Sequence, residues 1–196
     1  MSLGKLERTL KQNADGTYIL KTKTYVTGFW SIFIKDRVNE ESRFAMVDDK
    51  VVAKSYHYTK KKKGKLIKES VVFDTDKGTI LSSSGSGKQK FSLTGNESDK
   101  LLYQFKIRAA LRRGESELQF SVIDRMRLRS YQFKVGRLET LDTPMGMIEA
   151  VRVERVNEEK RKTTLWFAPS LDYLPVKIVQ DTGNHSFSST IISTQR

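Results

Sequence analysis

Apolar and polar side chains alternate at a period of two residues along most of the chain, and turn residues interrupt the pattern about every 8 to 12 residues. In residues 17–26, for example, Tyr18, Leu20 and Val26 fall on one side of an extended strand, because successive side chains point to opposite faces. Such alternation is typical of antiparallel sheets, sandwiches and barrels. It predicts strands near residues 4–10, 17–26, 42–47, 51–58, 66–73, 79–83, 88–93, 117–123, 127–135, 137–141, 147–156, 162–168, 176–180 and 186–193.

One segment near the middle of the chain departs from this pattern. Phe105 follows Leu101 by four residues, and further apolar residues continue the same stripe at helical spacing. Ser98 suits the N-cap of a helix, and Gly114 suits the position that ends it. The spacing therefore predicts one helix near residues 97–112.

These elements predict an all-β, mainly antiparallel fold for the 196-residue chain. With so little helix, parallel pairing is disfavoured, since a crossover between parallel strands takes about a dozen residues or more. Only three prolines occur, and no Pro-rich or Gly/Ser-rich tract divides the chain, so we expect a single domain over residues 1–196. The expected architecture is one continuous, curved and partly barrel-like meandering sheet with a central helix.

The composition excludes several classes of protein. The chain has no cysteine, which rules out disulfide frameworks, thiolate nucleophiles and cysteine-type zinc sites. The apolar run at residues 29–34 is followed directly by Lys35, Asp36 and Arg37, so it falls far short of the roughly 20 apolar residues that a membrane-spanning helix needs. We therefore expect no transmembrane segment.

Two short motifs resemble ligand-binding loops but lack essential residues. Residues 85–88 read Gly-Ser-Gly-Lys, whereas a phosphate-binding loop needs an earlier glycine and a Ser or Thr after the lysine. Ser82 and Gln89 occupy those two places. The segment beginning at Asp74 resembles the start of a calcium loop, but the remaining oxygen ligands are absent. We expect both segments to be turns, and we predict no cofactor and no metal site.

The histidines give no evidence of catalysis either. His57 and His185 are the only two, and neither has another metal-binding residue at ligand spacing. His57 alternates with Tyr56 and Tyr58 in a strand, which indicates a structural or surface role, with a solitary general base as the alternative. No catalytic residue is predicted. Carboxylates are numerous, however, so an enzyme that uses two of them remains a hypothesis.

The chain is strongly basic, with a net charge of +13. Such a charge attracts polyanions in a salt-dependent way without specifying one partner. A dense lysine cluster at one hairpin predicts a contact for phosphates of lipid or nucleic acid, and the alternative is a solvated hairpin tip. No aromatic and basic motif of an RNA-binding domain is present, so no specific nucleic acid is predicted. The predicted anion contacts are Lys60, Lys61, Lys62, Lys63 and Lys65.

Aromatic residues of the first half suggest a second kind of site. Sheets curved into barrels commonly bind ligands at their open ends. Aromatic side chains on such a sheet either line the concavity or pack in the core, and the sequence leaves both alternatives open. The predicted apolar ligand contacts are Phe29, Trp30, Phe33, Tyr56 and Tyr58.

Three segments carry a resemblance to a known family. Residues 99–105 read Asp-Lys-Leu-Leu-Tyr-Gln-Phe, residues 131–135 read Tyr-Gln-Phe-Lys-Val, and residues 165–178 contain a Trp-x-Ala-Pro segment followed by Pro-Val. They resemble segments of the exported bacterial proteins that share the domain of unknown function 3108. The resemblance implies an all-β, partly barrel-like fold and a periplasmic or otherwise exported location, and it implies no enzyme residues.

The last of these segments also has a structural interpretation. Trp166 is a large anchor for a core, and prolines cannot donate the hydrogen bonds of a sheet. We expect a rigid corner between two strands over residues 168–175. The residues of this structural motif are Trp166, Pro169, Tyr173 and Pro175.

Export is the expected fate of the protein. Residues 1–3, Met-Ser-Leu, read as an expression-vector remnant, and we expect a signal peptide and a first strand upstream of them. The leading hypothesis is a monomeric, non-catalytic cell-envelope protein that binds a hydrophobic or lipid ligand or presents a scaffold surface to an envelope protein. The alternatives are an anionic-surface binder that uses the lysine cluster and a carboxylate-dependent enzyme.

Overall fold

A computed structural model describes residues 4–26, 37–48, 50–62, 64–157, 161–184 and 186–194. Two seven-stranded sheets and one α-helix, α1 (Tyr103–Arg112), form within these ranges. The first sheet contains β1 (Gly4–Gln12), β2 (Tyr18–Val26), β3 (Arg37–Val47), β4 (Lys50–Lys62), β5 (Lys65–Asp74), β6 (Thr79–Ser84) and β7 (Gly87–Ser92). The second contains β8 (Glu97–Asp99), β9 (Glu117–Asp124), β10 (Arg127–Thr143), β11 (Gly146–Arg155), β12 (Lys162–Ala168), β13 (Leu174–Asp181) and β14 (Ser186–Thr190).

The predicted fold class is confirmed. The chain is mostly β, its strands pair mainly antiparallel, and a single α-helix lies near the middle of the described chain. Two details differ from the prediction: the strands form two sheets where one continuous sheet was expected, and the helix is shorter. Within the described residues, no helix combines the length and the apolar character needed to cross a membrane.

The chain divides into two compact units. One comprises Met1–Tyr103 and Ser121–Arg129, and the other comprises Gln104–Phe120 and Ser130–Arg196. The first unit contains the whole first sheet with β8, and the second contains the helix and the strands that follow β10. The prediction of a single domain stays a prediction.

The first sheet is a meander in which every strand pairs antiparallel with the next, in the order of the sequence. Short turns of suitable chemistry join its strands. Between β1 and β2, the Asp15 carboxylate accepts the backbone N–H of Thr17 at 2.9 Å, and Gly16 has a φ of +79° that disfavours a side chain. The predicted turns thus bring neighbouring strands into register.

Side-chain alternation gives the first sheet two different faces. Leu20, Phe44, Tyr56, Val71 and Ile80 are all almost completely buried and lie on what we call the inner face. The intervening residues of the same strands lie on the outer face, where most are exposed. Because the period of a strand is two residues, the register assigns side chains to the two faces, with one change of phase at the irregularity between Arg43 and Phe44.

The helix begins later than predicted, and the reason is local. Residues Glu97–Asp99 form β8, which pairs parallel with β9, so this segment is extended rather than helical. The Asp99 carboxylate then accepts the backbone N–H groups of Leu101 and Leu102, both at 2.8 Å. Asp99 therefore fixes the turn before the helix, and Ser98 does not act as the N-cap.

Strand β10 is a single 17-residue strand where the sequence predicted two. Its pairing with β11 is continuous except for an irregularity between Val135 and Leu138. A side chain at Gly136 would place a Cβ 3.3 Å from the carbonyl oxygen of Arg152, so glycine permits the close approach of the two strands there. This irregularity is a β-bulge, and it explains why the alternation of apolar and polar residues changes phase within β10.

A tight corner joins β12 and β13, as the sequence predicted for residues 168–175. Pro169–Leu171 form one turn of 3₁₀ helix, and the next two residues have left-handed backbone angles, with φ of 56° and 54°. The N–H of Tyr173 closes the corner by donating to the carbonyl of Ala168 at 2.8 Å. Arg112 and Arg108 of α1 both bind the Asp172 carboxylate, which fixes the corner within the second unit.

Candidate functional site

A row of polar side chains crosses the inner face of the first sheet. Directly opposed residues of antiparallel strands lie on the same face, with Cβ atoms about 4.5–5.5 Å apart. The register therefore places six polar residues of six successive strands side by side, next to the buried apolar row. This polar row consists of Arg8, Thr22, Glu40, Tyr58, Glu69 and Ser84.

The first two members of the polar row have buried atoms without hydrogen-bond partners. Thr22 is only 3% exposed, and neither its Oγ1 nor the Nε of Arg8 has a partner within the described part of the chain. Burial lowers the pKa of Arg8, while the neighbouring Tyr103 and Glu40 act in the opposite direction. A guanidinium stays protonated in proteins, so Arg8 remains a donor. Two buried atoms without hydrogen-bond partners thus belong to directly opposed residues of adjacent strands.

Glu40, the next member of the row, accepts a hydrogen bond from the buried Tyr56. The Tyr56 hydroxyl lies 2.6 Å from Oε1 of Glu40. Burial raises the pKa of Tyr56, and the negative charge of Glu40 raises it further. The phenol is therefore a fixed neutral donor to Glu40, which lies next to Thr22 in the polar row.

Asp99 is the most buried carboxylate of this region, with no exposed surface. It accepts a hydrogen bond from Oγ of Ser42 at 2.7 Å, in addition to the two backbone bonds described above. Burial raises the pKa of Asp99 to about 6, although these three hydrogen bonds favour the charged form, and the charge of Glu40 contributes to the rise. All the donors to Asp99 are neutral, so burial outweighs them.

Lys100 supplies a cation to the same region. Its Nζ lies 3.1 Å from Oε2 of Glu69 and 3.8 Å from Oδ1 of Asp124, and all three side chains are about four-fifths buried. The ammonium also lies 4.5 Å from the centre of the Tyr58 ring, within the range of a cation–π contact. The centre of the Tyr56 ring lies 5.8 Å away as well, so Lys100 is held by two carboxylates and two aromatic rings.

An apolar strip borders the polar row on the side away from the core. Leu6, Val38 and Ile67 lie in the next row of the inner face, which Thr24 and Lys60 complete. Leu6 is 37% exposed and Ile67 is 46% exposed, so part of this strip contacts solvent. The inner face thus passes from a buried core, through a polar row, to an accessible apolar strip. Such an order of surfaces suits a ligand with a polar head and an apolar chain.

The predicted lysine cluster does not form one compact site. Lys60 and Lys61 belong to β4 rather than to a loop, and as consecutive strand residues they lie on opposite faces. Lys65 is exposed at the start of β5. Lys62 ends β4 but its side chain lies outside the described residues, as does the whole of Lys63. Sequence adjacency therefore overstated the clustering of these charges.

The predicted aromatic contacts are divided as well. Tyr56 and Tyr58 lie on the inner face, where they bind Glu40 and Lys100. Phe29, Trp30 and Phe33 lie outside the described residues. His57, between the two tyrosines, is exposed on the outer face.

The predicted structural motif lies in the second unit. Nε1 of Trp166 donates to Glu139 at 2.8 Å, and the ammonium of Lys177 lies 5.1 Å from the indole ring. Pro169 and Tyr173 form the corner, and Pro175 pairs with Phe167 at the start of β13. These contacts organise the β12–β13 corner of the second sheet.

Sequence reasoning missed the polar row and Asp99. A signal was present, because Thr22, Glu40 and Glu69 are polar residues at inward positions of otherwise alternating strands. Asp99 and Lys100 were hidden inside the predicted helix. In the described chain, no group of three His, Cys, Asp or Glu residues is arranged to hold a metal ion.

Fold and site together define a mainly antiparallel β protein with one helix, whose first sheet carries a polar row on its inner face. The chain belongs to the family described as "Protein of unknown function (DUF3108)", whose model matches residues 2–191. This confirms the resemblance stated from the sequence.

The same fold is also found among solved structures. One of them is the crystal structure of a β-barrel-like protein of the domain of unknown function DUF1849 from Brucella abortus, with a TM-score of 0.58 and 10% sequence identity. The match covers 96% of this chain and 86% of the other. At this identity the likeness shows the fold alone. No protein with a curated description matches the chain.

Proposed function

We propose that this protein is a non-catalytic, exported cell-envelope protein that binds an amphiphilic ligand on the inner face of its first sheet. The observation that carries the proposal is the pair of buried, unpartnered atoms, Arg8 Nε and Thr22 Oγ1, next to the accessible apolar strip. A buried polar group without a partner is costly, so proteins rarely retain one without a reason. A ligand oxygen between the two groups would satisfy both.

The charges around this pair favour a neutral head group. Both Arg8 and Thr22 can donate to an oxygen, which suits a carbonyl. Glu40 is the residue directly opposite Thr22, so an added carboxylate would meet the repulsion of its carboxyl group. We therefore propose an ester or amide carbonyl as the bound head group.

The apolar strip would receive the alkyl chain. Leu6, Val38 and Ile67 lie on β1, β3 and β5, so the strip crosses four strand spacings, or about 19 Å. The methylene stem of Lys60, in the same row, adds apolar surface. The ligand class is thus an acyl ester or acyl amide with one extended chain.

The remaining parts of the proposal have separate support. A non-catalytic role fits the hydrogen bonding of the most buried acids, because Asp99 and Tyr56 are committed to bonds within the protein. The exported location rests on the resemblance to exported bacterial proteins.

The test is a titration of the delipidated protein with a monoacylglycerol and with the fatty acid of the same chain length, followed by native mass spectrometry. We expect one monoacylglycerol per chain, bound more tightly than the fatty acid. Thr22→Val should weaken this binding about three- to tenfold, since it removes one neutral hydrogen bond. The matched control is Thr9→Val, at an exposed position of the neighbouring strand. Equal binding by both variants, or preference for the fatty acid, would overturn the proposal.

A further inference from the structure

The outer face of the first sheet concentrates positive charge. The register places four rows of residues on this face, running across the central strands. They contain ten cationic side chains, all exposed, against two carboxylates. We call these ten residues the basic face. They are Lys5, Lys11, Lys21, Lys23, Arg37, Arg43, Lys61, Lys68, Lys88 and Lys90.

Few of these charges are neutralised within the sheet. Glu41 pairs with Lys21 at 3.0 Å and with Arg43 at 3.1 Å. The other carboxylate, Glu7, accepts the hydroxyl of Tyr25. The ion pairs of the described residues include none of the other eight cations of the basic face. Most of the face therefore presents uncompensated charge to solvent.

Protection of sheet edges does not account for this arrangement. Lysines on edge strands prevent strands of other chains from pairing. Lys21 and Lys23 lie on β2, Lys61 lies on β4 and Lys68 lies on β5, all of which have neighbours on both sides. The charge is thus spread over the middle of the sheet as well as its edges.

Exposed aliphatic side chains lie among the cations. Leu66, Val72 and Leu81 are 57%, 47% and 44% exposed, and Val72 lies directly opposite Leu81. Leu66 lies next to Lys61 in the same row. Cations mixed with exposed aliphatic groups suit the interface of an anionic bilayer, where apolar groups enter the lipid and cations bind the head groups.

We propose that the basic face docks the protein onto anionic phospholipid membranes. Charge complementarity selects the lipid, because juxtaposed lysines bind anionic leaflets in a salt-dependent way. Single-stranded nucleic acids would instead require several aromatic side chains for stacking. In the described chain the outer face carries Tyr25, whose hydroxyl donates to Glu7, and His57, whereas its most exposed apolar side chains are aliphatic. The docking surface is the sheet face, and it includes only Lys61 of the five lysines predicted from the sequence.

If the basic face binds a membrane, the two faces of the first sheet have different binding functions. Side chains of the inner and outer faces point in opposite directions. A first sheet bound to lipid through its basic face would leave its polar row and apolar strip turned away from that lipid surface. Docking and ligand binding would then use separate residues, and each can be removed without the other.

The test is co-sedimentation of the full chain with vesicles of phosphatidylcholine, with and without phosphatidylglycerol, at low and high salt. We expect binding only to the anionic vesicles and its loss at high salt. Replacing Lys23, Lys61 and Lys68 by Glu should weaken binding by at least about a hundredfold, because each lysine near an anionic surface contributes about a fivefold gain in affinity and each new carboxylate is repelled. Circular dichroism checks that the variant is folded.

A matched control separates the face from the net charge. Replacing the exposed Arg127, Lys134 and Lys162 by Glu changes the charge equally but leaves the basic face intact. We expect this variant to lose less than about threefold in affinity, since none of the three residues belongs to the basic face. Equal losses in both triple variants would overturn the proposal, and so would equal binding to both kinds of vesicle.

Leu66→Ser distinguishes lipid from other polyanions. A lipid surface predicts weaker vesicle binding for this variant, with unchanged retention on heparin, because only the bilayer receives the aliphatic side chain. Weaker heparin retention, or tighter binding of the wild-type protein to duplex DNA than to anionic vesicles at equal salt, would contradict the membrane assignment.

Discussion

Ser42 and Arg43 are consecutive residues of β3, but they lie on opposite faces of the first sheet and in opposite surroundings. Ser42 is buried and donates to Asp99, whereas Arg43 is exposed and pairs with Glu41. Partial burial raises the pKa of Glu41, but the bonds and charges of Lys21 and Arg43 outweigh it and leave the pKa below its usual value. The pKa of Asp99 rises to about 6, because full burial is opposed only by neutral donors.

The comparison shows how one set of strands supports two kinds of surface. On the outer face, water solvates the cations, so their number can grow with little cost to folding. On the inner face, each charged group must be matched by a neighbour, because desolvation is expensive. Polar groups without partners on the inner face, such as those of Arg8 and Thr22, therefore point to a binding site. An unpaired lysine on the outer face does not, because water solvates it.

Among the substitutions that test the difference between the two faces, Lys100→Met should change the free energy of unfolding most. The substitution leaves the mostly buried carboxylates of Glu69 and Asp124 without this cation. We expect a loss of about 3–4 kcal/mol in the free energy of unfolding, as for other buried ion pairs that lose one partner. Urea denaturation measures the change.

Lys23→Met on the outer face is the control for this substitution. It should change the free energy of unfolding by less than about 0.5 kcal/mol, as is usual for surface positions. A similar cost for the two lysines would remove the distinction between the faces.

A pH-dependent effect of nearly the same size is expected at Asp99. Its pKa is 3.8 in the unfolded chain and about 6 in the folded protein, so the folded state binds the proton more tightly. The contribution of Asp99 to the free energy of unfolding therefore has its full value below pH 3.8, and it is lost as the pH rises through about 6. The difference corresponds to about 3 kcal/mol.

Asp99→Asn tests this linkage. The asparagine cannot ionise, so the free energy of unfolding of the wild-type protein relative to the variant should fall between pH 4 and pH 7. Chemical denaturation at several pH values gives this difference directly. A difference that stays constant with pH would show that Asp99 does not titrate in this range.

The smallest effect is expected at Thr22, and its sign is diagnostic. Thr22→Val removes a buried hydroxyl that has no partner, so we expect the unliganded protein to gain about 1 kcal/mol in stability. The same substitution should weaken ligand binding. Thermal unfolding with and without a monoacylglycerol measures both effects. A variant that is less stable than the wild-type protein without ligand would indicate that the Thr22 hydroxyl has a structural partner.

The strands could be predicted from the sequence because their information is local. Alternation and turn residues such as Asp15 and Gly16 specify where each strand begins and ends. The start of the helix could not be predicted in this way. Residues Glu97–Asp99 are extended because they pair with β9, which lies about 20 residues further along the chain.

The candidate sites depend on register, which the sequence does not state. Arg8 and Thr22 are 14 positions apart and become neighbours only when β1 pairs with β2. The basic face likewise gathers cationic side chains from six strands, whereas the adjacent Lys60 and Lys61 are divided between faces. Clustering along the chain was therefore a poor guide to clustering on the sheet.

Native mass spectrometry of the protein purified from its own cell envelope, without delipidation, tests the central claim most directly. Recovery of one neutral acyl ester or acyl amide per chain, absent from Thr22→Val protein prepared in the same way, is the predicted result. A clean unliganded mass for the wild-type protein, or an equal ligand load in the variant, would contradict the account.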